Sequence, residues 1–175
     1  MRSQMSIEYF VCRVWRFFSI VAALAALFFA YTTLPESVFV DHVRNKPTES
    51  LSKSNVFYVV TGLLLIINVL IGFLENAFAQ LPDQRLSFLT ATGWNQVRTE
   101  LNMRFSNWLR LLQGGMNFFV VLTIYALTMV NLPDTKKTIN DYQWILYVGA
   151  FGLIIWLFWL PLRILFLKPK VVVGV

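Results

Sequence analysis

Three polar residues that lie inside long apolar stretches are the strongest candidates for chemistry in this sequence: Asn68, Glu75 and Asn117. A carboxylate within a membrane is costly and by default indicates a functional role. An asparagine in lipid usually finds a partner on another helix, a contribution of about 0.6–2 kcal/mol. These residues predict an intramembrane polar site, and three interpretations of Glu75 stay open: an interfacial residue paired with an arginine, a proton or ion site, or a partner contact.

Enzyme chemistry has few candidate residues. The sequence contains one histidine, His42, and one cysteine, Cys12, and it has no Walker loop, Gly-rich dinucleotide turn, HExxH, GxSxG or CxxC motif. A histidine without a second histidine or cysteine is a poor metal site, and a single cysteine excludes an internal disulfide. We therefore expect no catalytic residue, no cofactor and no metal site.

Composition and patterning identify a lipid bilayer as the solvent of these side chains. The sequence is 57% hydrophobic and only 14% charged, its mean hydropathy is +0.61, and its apolar residues come in blocks. About 20 apolar residues in a helix cross a hydrocarbon core of about 30 Å. The blocks predict one all-α integral membrane domain over 1–175, a bundle of four transmembrane helices at about 15–32, 55–79, 109–132 and 142–167.

Small and polar residues within the blocks predict helix contacts. In the second block they recur at helical spacing and share one face: Thr61, Asn68, Gly72 and Glu75. The first block has a face of small residues that allows a neighbouring helix to approach closely: Ala22, Ala26 and Ala30. If the second and third spans are antiparallel, Glu75 and Asn117 lie toward the same membrane side, which predicts a contact between them.

The segment between the second and third spans has the pattern of an amphipathic helix at about 92–108. Tryptophan and other apolar residues recur every three or four positions, and arginines lie opposite. This pattern suits a helix in the headgroup plane, and binding to a protein partner is the alternative. The sequence predicts a membrane-surface or partner face formed by Trp94, Arg98, Leu101, Arg104, Phe105, Trp108 and Arg110.

The first loop, 35–55, follows a helix stop at Leu34-Pro35 and is polar. Its short run 37–40 has two interpretations, a strand or a segment on the membrane surface. His42, in the same loop, is interpreted as an ordinary loop residue. A signal peptide over 1–30 is the alternative to the first span, although its end is a poor cleavage site.

Lysine and arginine counts predict the orientation. The termini and the second loop carry ten of these residues, whereas the first and third loops carry five. The positive-inside rule then places both termini in the cytoplasm. The formal net charge of +6 comes from residues that flank apolar blocks, so we expect the lipid bilayer as a partner and no nucleic acid.

The segment 31–38 (Tyr-Thr-Thr-Leu-Pro-Glu-Ser-Val), with Asp41-His42, Pro47 and Ser52-Lys53 after it, resembles a bacterial membrane domain of unknown function. That domain occurs in small stand-alone membrane proteins and at the start of the immunity protein against a sporulation-delaying cannibalism toxin. Leu34-Pro35, Val38 and Ser52-Lys53 match the family pattern, but Asp41 holds the usual histidine position. The arginine-rich segment before the third span also looks like the stand-alone members. The resemblance implies a location in the bacterial inner membrane rather than a mechanism.

Two functions follow as hypotheses. The first is a non-enzymatic membrane protein that acts through helix packing or contacts with a membrane-protein partner or a second copy, in a regulatory, immunity-like or accessory role. It would sense something outside through the loop 35–55 and pass this to the helix 92–108. The alternative is a small channel or carrier subunit, with Asn68, Glu75 and Asn117 lining a polar site in the membrane.

Overall fold

The computed structural model describes residues 7–43, 46–82, 93–133 and 138–166, and for residues 41–43, 46–48, 95 and 96 it describes the backbone alone. Four helices and one β-hairpin follow in order: α1 (Ile7–Thr33), β1 (Ser37–Val43), β2 (Lys46–Ser52), α2 (Lys53–Gln80), α3 (Arg98–Val130) and α4 (Gln143–Phe166). Short 3-10 turns precede the last two helices, Trp94–Val97 before α3 and Ile139–Tyr142 before α4.

All four helices are long and apolar enough to cross a membrane, which confirms the predicted all-α architecture and indicates a multi-pass membrane protein. Two of them begin eight or more residues before the predicted spans, α1 at Ile7 and α3 at Arg98. The reason is that charged residues end an apolar block but do not end a helix. Arginine has a good helix propensity, and the residues from 98 to 113 include neither proline nor glycine.

Each helix carries an uncharged stretch of similar length. These stretches are residues 17–35, 54–74, 111–133 and 142–162, which contain 19, 21, 23 and 21 residues. Their helical parts contain 17, 21, 20 and 20 residues, and at a rise of about 1.5 Å per residue they extend over about 26–32 Å, close to the thickness of the hydrocarbon core of a bilayer. At one end, three of them are bounded by residues that contact one another in the fold, Arg16, Glu75 and Arg110.

The helix α3 is the centre of the bundle and α4 is peripheral. Of the 18 most apolar consecutive residues, 39% are buried within the protein in α3, against 11% in Ile139–Phe166, the segment that contains α4. α1 packs along α3 most extensively, α2 packs on another face of α3, and α4 packs mainly against α3. As the face of small residues predicts, Ala30 is buried and Ala26 packs on the same core, where Ala23 is also buried.

Two glycines allow aromatic rings to lie directly on a helix backbone. A Cβ atom at Gly114 would overlap the indole of Trp15, and a Cβ atom at Gly149 would overlap the ring of Phe119. Glycine at these two positions therefore permits the close approach of α1 to α3 and of α4 to α3. The indole Nε1 of Trp15 donates a hydrogen bond to the carbonyl oxygen of Leu111 (3.3 Å).

The first loop contains a β-hairpin, so of the two interpretations of the run 37–40 the strand is correct. β1 and β2 pair antiparallel, with Ser37 opposite Ser52 and Phe39 opposite Ser50, and the register shifts after Phe39. Ser52 ends β2 and caps α2, because its Oγ accepts a hydrogen bond from the backbone N–H of Asn55 (3.2 Å). His42 lies in β1, where only its backbone is described.

A charged pair closes the base of the hairpin against the start of α2. The Nζ of Lys53 lies 2.9 Å from the Oε1 of Glu36, and the backbone N–H of Lys53 donates to the carbonyl of Glu36 (3.0 Å). The same ammonium lies over the ring of Tyr31, 5.3 Å from its centroid. These contacts fix the chain on both sides of the hairpin relative to the ends of α1 and α2.

Candidate functional site

Four neutral polar side chains from three helices meet inside the bundle and form what we call the amide network: Ser19, Asn68, Gln113 and Asn117. The Nδ2 of Asn68 donates to the Oδ1 of Asn117 (3.0 Å) and to the carbonyl of Leu64 (2.7 Å). The Nδ2 of Asn117 donates to the Oδ1 of Asn68 (3.3 Å) and to the Oγ of Ser19 (3.3 Å). The predicted partner of Asn68 on another helix is therefore confirmed, and it is Asn117.

Gln113 is the member of the network that sequence reasoning missed. Its side chain is completely buried, and its Nε2 donates to the Oδ1 of Asn68. Its Oε1 is buried and has no hydrogen-bond partner among the described residues. Gln113 precedes Asn117 by four residues, so the two share one helix face, and this spacing was the signal that could have identified it.

A second cluster, which we call the arginine border, lies toward the N-terminal end of α1 and consists of Arg16, Glu75 and Arg110. The Nη2 of Arg110 donates to the Oε1 of Glu75 at 2.5 Å, and the Nη1 of Arg16 lies 3.8 Å from the Oε2 of Glu75. The side chains of Arg110 and Glu75 are about 85% buried. The guanidinium of Arg110 also lies over the ring of Tyr9, 5.0 Å from its centroid. The border carries two positive charges and one negative charge.

Of the three interpretations of Glu75, the structure shows its pairing with an arginine. The predicted contact between Glu75 and Asn117 is wrong, because each residue has other partners. Glu75 lies seven residues beyond Asn68 along α2, which is about 10 Å along the helix axis. Asn117 pairs with Asn68 and is therefore too deep in the bundle to reach the carboxylate.

Arg98 and Trp94 hold the ends of two other helices. The Nη2 of Arg98 donates to the carbonyls of Phe78 (2.8 Å) and Leu81 (3.2 Å) at the C-terminus of α2. The indole N–H of Trp94 donates to the carbonyl of Ile164 (3.1 Å) in the last turn of α4. The last carbonyls of a helix lack intrahelical partners and carry partial negative charge, so a guanidinium and an indole N–H both stabilise these ends.

The predicted amphipathic helix at about 92–108, whose first residue lies outside the described residues, is not a separate helix from residue 93 onward. The segment from Arg98 onward is the first part of α3 and continues without a break into the third span. Its apolar face is covered by the same chain: Leu101 is completely buried, Phe105 stacks on Phe78 with 3.7 Å between ring centroids, and Trp108 donates to the carbonyl of Trp156 (2.8 Å). An apolar stripe predicts that a face is covered, but it does not distinguish lipid, partner and own chain.

Within the predicted surface face, Arg104 has a different role from Arg98 and Arg110. Its guanidinium pairs with Glu100, four residues earlier on α3 (Nη2 to Oε1, 2.7 Å), and this pair is partly exposed. It also lies 5.8 Å from the ring centroid of Trp94. Arg104 and its partner Glu100 are therefore partly accessible from outside the bundle.

At the opposite end of α3, Asn131 holds the hairpin. The Oδ1 of Asn131 accepts a hydrogen bond from the backbone N–H of Phe39 (2.7 Å), and its Nδ2 donates to the carbonyl of Phe39 (3.0 Å). The Nδ2 also donates to the carbonyl of Leu127 in the last turn of α3 (2.9 Å). The side-chain amide thus pairs with β1 as a neighbouring strand would. Sequence reasoning did not identify this contact.

Several clefts lie between the helices, and two of them lie beside the residues described above. One, of about 230 Å³, separates α1 from α2 and reaches the amide network at Asn68 and the arginine border at Arg16. We call it the lateral cleft. Thr61 also lines it, and the Oγ1 of Thr61 is buried with no hydrogen-bond partner among the described residues. The other, of about 300 Å³, lies between α1, α3 and α4 and is lined almost entirely by apolar side chains, with Gly115 and Gly152 among them.

These features define a class of protein: a small helical protein with four helices suited to cross a membrane, a neutral polar network at its centre and a charged cluster at one border. No family model, no curated protein and no solved structure matches the chain.

Proposed function

We propose that this chain is a non-enzymatic protein of the bacterial inner membrane that acts through contacts with a membrane-protein partner or a second copy. Its role would be regulatory, immunity-like or accessory. Both termini lie in the cytoplasm in this proposal, which places the hairpin outside. The ten lysines and arginines of the termini and second loop, against five elsewhere, support this orientation.

The continuity of α3 is the observation that carries the proposal. A single helix of 33 residues is about 50 Å long and reaches from one side of a bilayer to the other. Asn131 joins its C-terminal end to the hairpin through Phe39, and Arg98 joins its first turn to the end of α2. A contact made at the hairpin would therefore move α3, and α3 would move the residues at the opposite surface.

The polar residues inside the bundle are paired with one another, which supports a role in helix packing rather than in transport. The charge of Glu75 is balanced by Arg110 and Arg16, and the side-chain amides of Asn68 and Asn117 bond to each other. A transport site needs polar groups that exchange their present partners for an ion or substrate. Here those groups join α1, α2 and α3, as polar side chains commonly do in membrane bundles.

The proposal is tested by capture of a partner from native membranes. The tagged full-length chain is extracted in mild detergent, and co-purifying proteins and the number of copies are quantified by mass spectrometry. We expect one stoichiometric membrane protein or a second copy. Glu49→Lys on the exposed face of β2 and the exchanged pair Glu100→Arg with Arg104→Glu should each reduce its recovery.

Leu70→Ala is the matched control, because Leu70 is half-exposed in the middle of α2 and contacts neither surface. It should leave recovery unchanged. A chain that is monomeric and retains no partner, or recovery that neither surface change affects, would overturn the proposal.

A further inference from the structure

The lateral cleft between α1 and α2 has one charged end and one apolar end. The hairpin joins the two helices, so they run antiparallel, and the cleft extends from Arg16 and Asn68 to Leu27 and Thr61. Eleven residues of α1 separate Arg16 from Leu27, which is about 16 Å along the axis. Between the two ends the walls are formed by aliphatic side chains such as Ile20, Leu24, Leu64 and Leu65.

The size of the cleft decides what kind of occupant fits. About 230 Å³ of the cleft is open to the centres of water-sized groups, and the empty space between its walls and toward the outside is about 620 Å³. A helix with a diameter of 10 Å would occupy about 1,250 Å³ over the same length of about 16 Å. The cleft therefore does not take a helix of a partner protein between its walls, and its aliphatic lining suits a single flexible hydrocarbon chain.

Arg16 supplies a guanidinium with unused hydrogen-bonding capacity. An arginine side chain has five N–H donors. Arg16 lies 3.8 Å from Glu75, beyond hydrogen-bond distance, and within the described ranges its guanidinium makes no hydrogen bond. The Oε1 of Glu75 already accepts from Arg110 at 2.5 Å. The side chain of Arg16 is one-third exposed, and the arginine border has a net positive charge, which an anion would balance.

The position of Arg16 along α1 matches the level of lipid phosphates. Arg16 immediately precedes the uncharged stretch 17–35, whose helical part ends at Thr33 and is about 26 Å long, close to the thickness of a hydrocarbon core. A long arginine side chain at such a boundary extends toward the headgroups. An acyl chain that enters the lateral cleft would therefore hold its phosphate close to this guanidinium.

We propose that the lateral cleft binds one anionic phospholipid, with one acyl chain between α1 and α2 and its phosphate on Arg16. This inference rests on the cleft and the arginine border and is independent of the proposed partner. The bound lipid fills apolar surface between the two helices and supplies the anion that the border lacks. It would make the association of α1 with α2 depend on the lipid composition of the membrane.

The test is native mass spectrometry of the purified full-length chain with an equimolar mixture of phosphatidylglycerol and phosphatidylcholine that have identical acyl chains. We expect one retained lipid and at least about fivefold enrichment of phosphatidylglycerol, since one arginine near a membrane surface contributes about that factor. Arg16→Gln should abolish the enrichment, whereas Arg16→Lys should keep most of it. Inorganic phosphate in large excess should not displace the lipid.

Arg13→Gln is the matched charge control. Arg13 lies one turn earlier on α1, is exposed and does not line the lateral cleft. Its substitution removes the same charge and should leave the enrichment unchanged. Equal losses with Arg13→Gln and Arg16→Gln would indicate attraction to net charge and would overturn the site. Displacement by phosphate, or no enrichment in the unchanged chain, would overturn it as well.

The acyl-chain half of the proposal has its own variants, which also serve if Arg16→Gln does not fold. Leu65→Trp narrows the lateral cleft from an exposed position, and Leu70→Trp adds the same ring to an exposed position of α2 outside it. We expect Leu65→Trp to lower retention of both lipids severalfold and Leu70→Trp to have no effect. Equal retention by the two variants would show that no chain occupies the cleft.

Discussion

The amide network and the arginine border are built on the same three helices but use different chemistry at different depths. Asn68 and Asn117 lie seven residues from Glu75 and Arg110 along α2 and α3, which places these two asparagines about 10 Å deeper in the bundle. The deeper cluster contains only neutral side chains, and the charged residues occur at the border. The cost of a charge in a bilayer falls toward the headgroups, whereas amides that bond to each other are tolerated at the centre.

The largest expected effect comes from breaking the arginine border at its shortest contact. Arg110→Met leaves Glu75 with only the looser contact to Arg16, and removing one partner of a buried ion pair costs about 3–5 kcal/mol. We expect the free energy of unfolding in detergent to fall by about 3 kcal/mol, since Arg16 compensates in part. The double substitution Arg110→Met with Glu75→Leu should cost less than the single one, and a larger cost would contradict this account of the border.

A smaller loss of stability is expected when the amide network is disrupted. Asn117→Leu removes its hydrogen bonds to Asn68 and Ser19, which costs about 1–3 kcal/mol in total at about 0.5–1.5 kcal/mol per bond. In a double-mutant cycle with Asn68→Leu, we expect a coupling of about 0.6–1.7 kcal/mol, the range found between helices in membranes. If Asn117→Leu destabilised the protein more than Arg110→Met, the contrast between the two depths would be wrong.

A substitution of Arg98 tests whether this residue packs on α2, as observed, or contacts the membrane surface, as predicted from the sequence. Arg98→Gln removes charged hydrogen bonds to the carbonyls at the end of α2, for which we expect a loss of about 1–2 kcal/mol. Hydrogen exchange should accelerate in the last turn of α2, around residues 77–80. If Arg98 instead contacted headgroups, exchange in α2 would stay unchanged and only membrane association would weaken.

The smallest loss of stability is expected for a substitution of Arg104. Its pair with Glu100 is partly exposed and has (i, i+4) spacing, and pairs of this kind contribute about 0.3–0.5 kcal/mol. Arg104→Gln should therefore lower the free energy of unfolding by no more than that. A loss as large as that of Arg98→Gln would show that Arg104 also has a buried structural role.

No effect is expected on transport. In proteoliposomes, the unchanged chain and Glu75→Gln should both give the ion and proton flux of empty vesicles, because the carboxylate pairs with arginines at one border. A flux that the unchanged chain supports and Glu75→Gln alters would favour the channel or carrier alternative and would assign Glu75 a role beyond pairing.

The sequence pattern within one helix was sufficient to predict the residues of the site that share a helix face. Asn68 was expected to bond to another helix and Glu75 had pairing with an arginine among its interpretations, and both are observed. The partners themselves were not predictable. Gln113 and Arg110 are neighbours of Asn68 and Glu75 only because α2 and α3 pack at one particular register, and single-helix periodicity carries no information about register between helices.

The attachment of the hairpin is a second feature that the sequence pattern did not predict. A short β-branched run beside a polar loop left the strand and the surface segment equally open, since a two-stranded hairpin is marginal in water by itself. Its attachment depends on Asn131, which lies 92 residues from Phe39. A contact at that separation in sequence exists only after the helices have packed.

The sequence by itself determined the four apolar helices, because the bilayer requires about 20 uncharged residues for each crossing and leaves the backbone few alternatives to a helix. The tertiary structure decided which surfaces those helices cover. The apolar stripe from Trp94 to Trp108 is compatible with coverage by lipid, by a partner or by the chain itself, so its pattern does not distinguish these three. The packing of α2 and α4 against α3 settled that question, since hydrophobicity alone does not select among apolar neighbours in a membrane.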